Sequence, residues 1–430
     1  MRLSPIVGTA VIAAAISVPA FAQTVIHAGQ LLAEPGRGVA QEQTIVVCDG
    51  RIEAIKQGYQ DGTCGGADMT VVDLKDHWVM PGLIDSHVHI TGELSPKQKL
   101  ERVEMSDARV AMRAWSYADK TLAAGFTTVR DVGANAEAVF ALRDAINAGE
   151  LTGPRILTAG ATISATGGHG DVHGYREEIL HLFEDSSRCD GADDCRRAVR
   201  RQVKRGSDLI KITATGGVLS ETAAGTGQQM FDDEMTAVVR TAHSLGRKVA
   251  AHAHDADGIN AALRAGVDSI EHGTYLNAES IRLFKETGAY LGPTVLAGET
   301  VAEMGAAENS FMPPPIAAKA VRVGPQMLDM LGRAYDGGVK IAFGTDTGVS
   351  KHGDNARELE LMVEAGMPHE TVLRSATVEA ATLLGLADRI GTLEAGKAAD
   401  IIAVSQDPLA DMSVMRDVAF VMKGGAIHRK

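Results

Sequence analysis

The sequence of 430 residues is poor in aromatic side chains, which make up 4% of the chain, and it holds only four cysteines. It also lacks any dense run of lysine or arginine: 42 basic residues stand against 55 acidic ones, a formal net charge of −13 at pH 7. A protein that tracks a phosphate backbone needs a basic face, so we expect no nucleic-acid partner. Hydrophobic residues at 45% and charged residues at 23% are typical of a globular protein, and the length allows one large domain with an accessory module or two to three domains.

Long apolar runs are missing after the first 22 residues. Residues 1–22 carry Arg2 as a single early charge, then an apolar stretch, Pro19 and Ala20-Phe21-Ala22. This order is typical of a secretory signal peptide, and the apolar part is shorter than the ~20 residues that cross a bilayer. A buried N-terminal helix is the alternative. We predict an exported, periplasmic or secreted protein that begins at Gln23, without a membrane span in the mature chain.

The cysteines fall in two local pairs, Cys48 with Cys64 and Cys189 with Cys195. Neither pair has the CxxC spacing of a zinc knuckle. In an oxidising compartment such pairs form disulfides that close short loops, and we predict local disulfides. Four cysteines nevertheless allow three connectivities, and the sequence alone does not choose among them.

The two ends of the sequence are β-rich, and the middle alternates strand and helix. Residues 44–48 and 51–55, joined by Asp49-Gly50, have the pattern of a β-hairpin. Residues 399–404 and 418–422 resemble them near the C-terminus. Between the ends, we expect helices at 99–124, 136–148 and 232–245, and strands that start near Leu83, Thr127, Arg155, Asp208, Lys248, Asp268, Ala289 and Val339.

Eight strand–helix units are the number that a (β/α)8 barrel requires. The fold class predicted is therefore α/β, a TIM barrel over residues 81–395 with a small β-sandwich built from residues 23–80 and 396–430. Two stretches interrupt the alternation: an acidic loop over 184–195, and 299–318, where Pro313-Pro314-Pro315 indicates a long irregular connection. Connections of that length often serve as lids or oligomer contacts, so we expect a homo-oligomer.

Residues that can bind a metal stand at the ends of several predicted strands. His87 and His89 follow the first strand, and side chains two residues apart on a strand face the same side. Alone, a pair of this kind is equally well explained by surface histidines. Lys211 lies inside the apolar fourth strand, where a bare ammonium is costly unless it is used.

The later strands add further groups of the same kind. His252 and His254 form a second same-face pair on the fifth strand, His272 ends the sixth, and Asp346 ends the eighth. Each has a structural explanation when taken singly, such as a satisfied core histidine or a helix-capping aspartate. These seven residues on five strand ends together predict a metal site.

These residues resemble the amidohydrolase superfamily. The resemblance rests on Pro81-Gly-Leu-Ile-Asp-Ser-His-Val-His89, Lys211, His252, His272 and Gly344-Thr-Asp346, and on the terminal segment 391–400. One segment, Thr166-Gly-Gly-His-Gly170, narrows the resemblance to the imidazolonepropionase-related branch of this superfamily. That branch includes Xaa-Pro and Xaa-Lys/Arg dipeptidases and ochratoxin-hydrolysing amidases. The resemblance covers essentially the whole mature chain.

The resemblance implies a role for each of these residues. His87, His89 and Asp346 would bind one buried metal ion, His252 and His272 a second, and Lys211, carboxylated by CO2, would bridge the two. Imidazole and carboxylate ligands suit Zn²⁺, with Mn²⁺ or Fe²⁺ as alternatives. A hydroxide shared by the metals would attack the scissile carbonyl, and Asp346 would pass its proton to the leaving amine. We prefer His252 to His254 as the ligand and leave His254 for the substrate.

Several residues at the same ends of the strands are candidates for contact with the substrate. His169 follows the third strand and could bind the tetrahedral oxyanion, and Tyr275 follows His272. His352 and Arg357 come after the eighth strand, where a guanidinium suits a free carboxylate. The alternative for His169 is a loop-stabilising role.

The function expected is that of a two-metal hydrolase of dipeptides or N-acyl amino acids with a free C-terminal carboxylate. Xaa-Lys/Arg, Xaa-Pro and ochratoxin-type substrates stay open, because the shape of the pocket sets specificity. One alternative is an imidazolonepropionase-like hydrolase of cyclic amides or lactones, against which the presence of Lys211 argues. Two alternatives are not enzymes: a periplasmic binding protein and a catalytically inactive relative.

Overall fold

The computed structural model describes residues 23–65, 69–183, 187–220 and 225–430. The predicted signal peptide, residues 1–22, lies outside these residues. No helix within the described ranges is both long and apolar enough to cross a membrane.

Strands from both ends of the chain join in one seven-stranded sheet, in the order β15-β14-β13-β4-β1-β2-β3. Its strands are β1 Thr24–Leu31, β2 Ala40–Cys48, β3 Arg51–Gln57, β4 Thr70–Pro81, β13 Ile401–Val404, β14 Phe420–Lys423 and β15 Ala426–Arg429. The predicted hairpin is confirmed: β2 pairs antiparallel with β3 around Asp49-Gly50. β4 lies at the junction of the two halves, parallel to β1 and antiparallel to β13.

The β2–β3 turn and the β14–β15 turn are both hydrogen-bonded to the residue Ala399, which precedes β13. Ala399 N donates a hydrogen bond of 2.9 Å to Gly50 O, and Gly425 N donates one of 3.1 Å to Ala399 O. Apolar side chains from both halves, including Ile26, Ile45 and Phe420, share one buried cluster. The sheet is therefore strongly curved around a core of its own.

The middle of the chain forms parallel strands that carry the candidate site. One sheet has the order β5-β6-β7 and the other β12-β11-β10-β9-β8, with parallel pairing throughout. Their bounds are β5 Leu83–Val88, β6 Phe126–Asp131, β7 Arg155–Thr158, β8 Ile210–Thr213, β9 Val249–Ala253, β10 Ser269–His272, β11 Tyr290–Gly292 and β12 Lys340–Ile341. Each starts within two residues of the predicted position, because a parallel strand covered on both faces reads as a short apolar run.

Backbone hydrogen bonds connect the two parallel sheets at both pairs of edges. On one side, Ile163 N donates 2.8 Å to Lys211 O, and Thr213 N donates 3.1 Å to Ile163 O. On the other side, Asp346 N donates 2.8 Å to His87 O, and His89 N donates 2.7 Å to Thr347 O. The segments after β7 and β12 thus hold the sheets side by side.

Helices follow these strands. They are α1 Gln98–Glu104, α2 Asp107–Ala123, α3 Ala136–Asn147, α4 Glu177–Leu180, α5 Ala192–Arg205, α6 Asp232–Ser244, α7 Ala256–Ala265, α8 Ala278–Thr287, α9 Val295–Ala306, α10 Pro314–Asp336, α11 Arg357–Glu364, α12 His369–Arg374 and α13 Ala380–Leu384. A π-helical turn, Ser375–Glu379, joins α12 to α13, and 3-10 turns cover His181–Phe183 and Met412–Arg416.

Two of the predictions for the helical regions are corrected. The helix expected at 99–124 is two helices, because Ser106 ends the first segment and its side chain caps α2 by accepting a hydrogen bond from Arg109 N. The irregular connection expected over 299–318 is wrong. Most of it is helix, with Pro313 at the N-cap of α10 and Pro314 at its first position, where the absence of an N–H group is harmless.

The second cysteine pair lies at the start of α5. Disulfides join Cys48 to Cys64 and Cys189 to Cys195, the local pairing among the three connectivities. The predicted acidic loop 184–195 falls partly outside the described residues, at 184–186, and its last residues belong to α5.

Candidate metal centre

The metal-capable residues all lie where the parallel strands end. His87 is in β5 and His89 follows it, Lys211 is in β8, His252 is in β9 with His254 just beyond, and His272 ends β10. Asp346 follows β12 on the segment that is hydrogen-bonded to His87. The carboxyl ends of parallel strands meet at one edge, so the fold gathers these residues, apart from Lys211, into two groups of three.

The first group consists of His87, His89 and Asp346, whose candidate ligand atoms lie within 4.8 Å of one another. Asp346 Oδ1 is 3.4 Å from His87 Nε2 and 3.1 Å from His89 Nε2. Burial alone would raise the pKa of Asp346, but His87 and His89 hold it well below its usual range. An ionised carboxylate facing two imidazoles is a donor set that suits Zn²⁺.

His252, His254 and His272 form the second group. Burial lowers the pKa of His252 and of His272 well below the usual value, and that of His254 to about 4. These imidazoles are therefore neutral at pH 7, which is the form that binds a metal.

The two groups are neighbours. The ring centroids of His87 and His272, one from each group, are 5.1 Å apart. Lys211 is 3% exposed, and the charges of Glu271 and Asp346 act on it. Burial lowers the pKa of Lys211 to about 8, and the described part of the chain offers its ammonium no salt-bridge partner within 4 Å. Lys211 is thus a buried amine beside both groups, with a pKa lowered towards neutral pH.

Two of these residues have backbone angles that residues other than glycine rarely adopt. His272 has φ +74° and Asp346 has φ +58°. Such left-handed conformations cost free energy and persist only where the surrounding structure enforces them, most often at functional sites. His272 is the last residue of β10, and Asp346 lies in the segment that follows β12. At both residues the chain leaves the direction of the strand.

The buried carboxylate of Glu271 binds His87 on the side of the ring that faces away from Asp346. Glu271 Oε2 lies 2.8 Å from His87 Nδ1, and Arg130 Nη2 donates a hydrogen bond of 2.8 Å to Glu271 Oε1. Glu271 is fully buried, and Arg130 is 3% exposed. A Cβ at Gly292 would lie 2.6 Å from Glu271 Oε2, so only glycine leaves room for this carboxylate.

The other ligand candidates have neutral partners. The Nδ1 of His272 is 2.7 Å from Thr294 Oγ1, and the Nδ1 of His254 is 2.8 Å from Thr274 Oγ1. His89 donates from Nδ1 to Gly133 O. Each bond fixes one ring nitrogen and leaves Nε2 for the centre, as outer partners of metal-bound histidines do.

Asp85 connects the strand that bears His87 to the segment that bears Asp346. It is fully buried, accepts hydrogen bonds from His87 N (3.0 Å) and Thr345 Oγ1 (2.6 Å), and accepts a further one of 2.8 Å from Asn355 Nδ2. Burial raises the pKa of Asp85 to about 6. This carboxyl group fixes the register between the two halves of the first group.

His169 and Tyr275 lie beside the second group. The ring of His169 is 4.3 Å from that of His252, its Nδ1 is buried without a hydrogen-bond partner in the described residues, and burial lowers its pKa to about 3. Tyr275 N donates 2.9 Å to His254 O, and the half-buried side chain packs on an apolar cluster around Val218 and Ile316. Both residues can face a molecule held at the centre.

His352 and Arg357 are occupied elsewhere. His352 is 4% exposed, with Nε2 bonded to Gly92 O at 3.0 Å and its ring stacked on Tyr117 at 4.6 Å. The Arg357 guanidinium pairs with three carboxylates, those of Glu299, Glu360 and Glu364. A guanidinium so neutralised is a poor receptor for a further carboxylate, so the structure argues against the substrate role expected for Arg357.

Sequence reasoning missed the outer partners Glu271, Arg130, Thr274 and Thr294. One signal was present, because Arg130-Asp131 and Glu271 are charged residues inside short apolar strands. Buried charges of this kind must find partners. Which partner each one finds depends on contacts between distant parts of the chain, and hydrophobic periodicity does not encode them.

Comparisons with known proteins find similarity along almost the whole chain. The model of a family described as the amidohydrolase family matches residues 78–427. The chain is 32% identical to ochratoxinase from Aspergillus niger, over 94% of this chain and 86% of that protein. A solved Xaa-Pro dipeptidase with methionine bound in its active site is 42% identical, covering 95% of this chain and 100% of that one with a TM-score of 0.88. A prolidase in complex with N-methylphosphonate-L-proline is 30% identical, covering 94% and 99%, with a TM-score of 0.85.

Proposed function

The chain belongs to the amidohydrolase family, and we propose that it is an exported two-metal hydrolase that cleaves the amide bond of dipeptides or N-acyl amino acids with a free C-terminal carboxylate. That it is a hydrolytic enzyme acting on amide bonds follows from the family and from its ochratoxinase and prolidase relatives. The substrate, the number of metal ions, the bridge and the export are our proposals. We also infer that the eight parallel strands close into a barrel and that the terminal sheet folds on itself as a sandwich.

The observation that carries the two-metal proposal is the distance of 5.1 Å between the rings of His87 and His272, which belong to separate three-residue groups. Two ions held about 3.5–4 Å apart are typical of two-metal hydrolases. The donors fit: His87 Nε2 and Asp346 Oδ1 are buried, and within the described residues neither has a hydrogen-bond partner. Buried polar atoms without partners are rare and call for an explanation, which a bound cation provides.

We assign His87, His89 and Asp346 to one ion, and His252 and His272 to the other. Lys211 supports the bridging role, because a lysine reacts with CO2 only as the neutral amine and burial lowers its pKa to about 8. As a carbamate it would be an anionic ligand with two oxygens. Two divalent ions, which we propose to be Zn²⁺, would activate water and polarise the substrate carbonyl.

The chain's own groups supply the proton transfers. Asp346 is ionised, which lets it take a proton from water and deliver it to the nitrogen of the leaving amine. His169 is neutral and half-buried 4.3 Å from His252, so its ring N–H could donate to the oxygen on which negative charge develops. His254 and Tyr275 stay candidates for contact with the substrate.

We propose export because residues 1–22 have the order of a signal peptide, and the two disulfides support an oxidising compartment. Homo-oligomerisation stays a prediction, to be checked by sedimentation of the mature protein. The Pro-rich segment on which that prediction rested is the start of helix α10.

The test is turnover by zinc-loaded protein without residues 1–22, with metal content measured on the same sample. The panel comprises Xaa-Arg, Xaa-Lys, Xaa-Pro and Xaa-Phe dipeptides and ochratoxin A. We expect two metal ions per chain and cleavage of at least one member. Two ions without cleavage would move the substrate to lactones or cyclic amides, and one ion or none without cleavage would overturn the proposal.

Two variants separate the mechanism from the fold. Lys211→Ala and Asp346→Asn should each lose activity by orders of magnitude while the far-UV circular dichroism stays that of the parent protein. Near-normal turnover by either variant would contradict the two-metal mechanism.

A further inference from the structure

A buried cation that the proposed mechanism does not use lies next to the metal centre. Lys319, on α10, is 9% exposed, and its Nζ donates hydrogen bonds to Gly217 O (2.6 Å) and Ser220 O (2.8 Å). Within the described residues no carboxylate lies within 4 Å of this ammonium. An ammonium has three donors, so one N–H remains for another acceptor.

Two consecutive carbonyl groups connect Lys319 to the centre. Gly216 O is 3.4 Å from His252 Nε2, and the next carbonyl, Gly217 O, accepts from Lys319. Gly217 also touches His169: a Cβ at position 217 would lie 2.3 Å from that ring. Lys319 therefore binds the carbonyl group next to the one that contacts His252, a candidate metal ligand.

The charge of Lys319 acts on two histidines at the centre. Together with burial, it lowers the pKa of His254 and of His169. The surroundings are apolar: Val218, Ile316 and Ala320 belong to one buried cluster, on which Tyr275 packs. In such a low-dielectric environment a cation without a counter-ion attracts an anion more strongly than it would in water.

We propose that Lys319 binds the free carboxylate of the substrate and sets the preference for acids over amides. The proposal rests on the proposed function, in which the scissile amide is one residue away from that carboxylate. Lys319 is bonded to Gly217, and the neighbouring Gly216 contacts His252, so this ammonium is the buried cation on the side of the second histidine group. Arg357, the guanidinium first expected to play this part, is neutralised by three glutamates.

The competing explanation is that Lys319 only clamps the loop 216–220 onto α10. The chain offers a matched control for this explanation. Lys248 also donates to two backbone carbonyls, Leu383 O at 2.7 Å and Thr382 O at 3.4 Å, but it precedes β9 and so lies at the opposite end of that strand from His252. Loss of Lys248 removes the same kind of contact without touching the centre.

The experiment compares an acid with its amide. Binding of L-phenylalanine and L-phenylalaninamide to the zinc-loaded mature protein is measured by calorimetry, for the parent protein and for Lys319→Met, Lys319→Arg and Lys248→Met. We expect the parent protein and Lys248→Met to bind the acid at least tenfold more tightly than the amide. Lys319→Met should lose this preference, and Lys319→Arg should keep part of it.

Turnover provides a second readout. For Gly-Phe against Gly-Phe-amide, Lys319→Met should raise KM for the acid at least tenfold and change kcat/KM for the amide less than threefold. Equal losses on acid and amide would identify Lys319 as a loop clamp and overturn the proposal, as would a parent protein that binds the acid no better than the amide. If Lys319→Met loses the acid preference in binding but the parent protein cleaves no amide bond, the proposed function fails and the binding role of Lys319 stands.

Discussion

His87 and Glu271 form a carboxylate–imidazole pair in the interior, with 2.8 Å between Nδ1 and Oε2. They are 184 positions apart in the sequence, on β5 and β10. The carboxylate accepts the Nδ1 proton, which leaves Nε2 of His87 as a lone-pair donor directed at Asp346. Glu271 thereby selects the tautomer that a metal ligand needs.

Replacing Glu271 with glutamine should reverse this tautomer. The amide oxygen must face Arg130, which can only donate, so the amide N–H group would face His87 and move the imidazole proton to Nε2. We expect metal affinity of the His87 group to fall about 10- to 100-fold, measured by competition with a chelator. Glu234→Gln is the control, because Glu234 is also buried and accepts from Gly191 N and Phe231 N without touching a ligand candidate. Equal affinities in Glu271→Gln and Glu234→Gln would contradict this positioning role.

His252 and His254 should differ when each is replaced by alanine. The rings of His254 and His272 are nearly parallel, at 14°, so their nitrogens point alongside each other, whereas His252 is inclined by 68° to His272 and can converge with it on one ion. We expect His252→Ala to lose one metal equivalent, and His254→Ala to keep both ions and raise KM. Metal analysis after dialysis decides the matter, and the reverse pattern would assign His254 as the ligand.

His352 should make stability depend on pH. Burial lowers the pKa of His352 to about 4, so between pH 6.5 and 4 the unfolded chain takes up a proton that the folded chain does not. Above pH 6.5 the imidazole is neutral in both states and does not lower the free energy of unfolding. As the pH drops to 4, protonation of the unfolded chain lowers the free energy of unfolding by up to about 3 kcal/mol.

The measurement for His352 is denaturant unfolding of the parent protein and of His352→Gln, which can still donate to Gly92 O but does not titrate. Both proteins are treated with chelator, so that loss of metal in acid does not contribute. The stability advantage of the parent protein should shrink as the pH falls. An advantage that stays constant from pH 7 to 4 would show that His352 does not titrate as proposed.

The disulfide between Cys189 and Cys195 should control the loop that carries His169. Cys189 N donates 2.9 Å to Ser164 O, and Asp190 accepts from Thr166 N at 3.0 Å, so the segment at the disulfide is bonded to residues that lead to His169. We expect the double alanine variant to increase hydrogen exchange over residues 163–171 and to lower kcat/KM several-fold.

The other disulfide provides the control for this loop. Replacing Cys48, at the end of β2, and Cys64, between β3 and β4, should lower stability by about 3 kcal/mol without changing exchange over residues 163–171. If both double variants changed that exchange equally, the Cys189–Cys195 bond would have no local role at the centre.

The sequence predicts the scaffold of the centre better than it predicts the contacts around it. The strands of the middle region start within two residues of their predicted positions because apolar runs mark them, and His87, His252 and Asp346 follow from their places at strand ends. Charge pairing was not predictable in the same way. Arg357, for example, is paired with Glu299, which lies 58 positions earlier in the sequence. The segment 299–318 was also mispredicted, because its prolines indicate an irregular connection although they lie at the start of a helix.

The central position of β4 in the terminal sheet has a consequence for synthesis of the protein. About 320 residues separate Pro81, where β4 ends, from Ile401, where its antiparallel partner β13 begins. At typical rates of translation this interval lasts roughly 15–60 s, during which one edge of β4 has no partner strand. Unpaired edges recruit other chains, so this edge of β4 stays open to pairing with another chain until β13, in the last 30 residues, has been made.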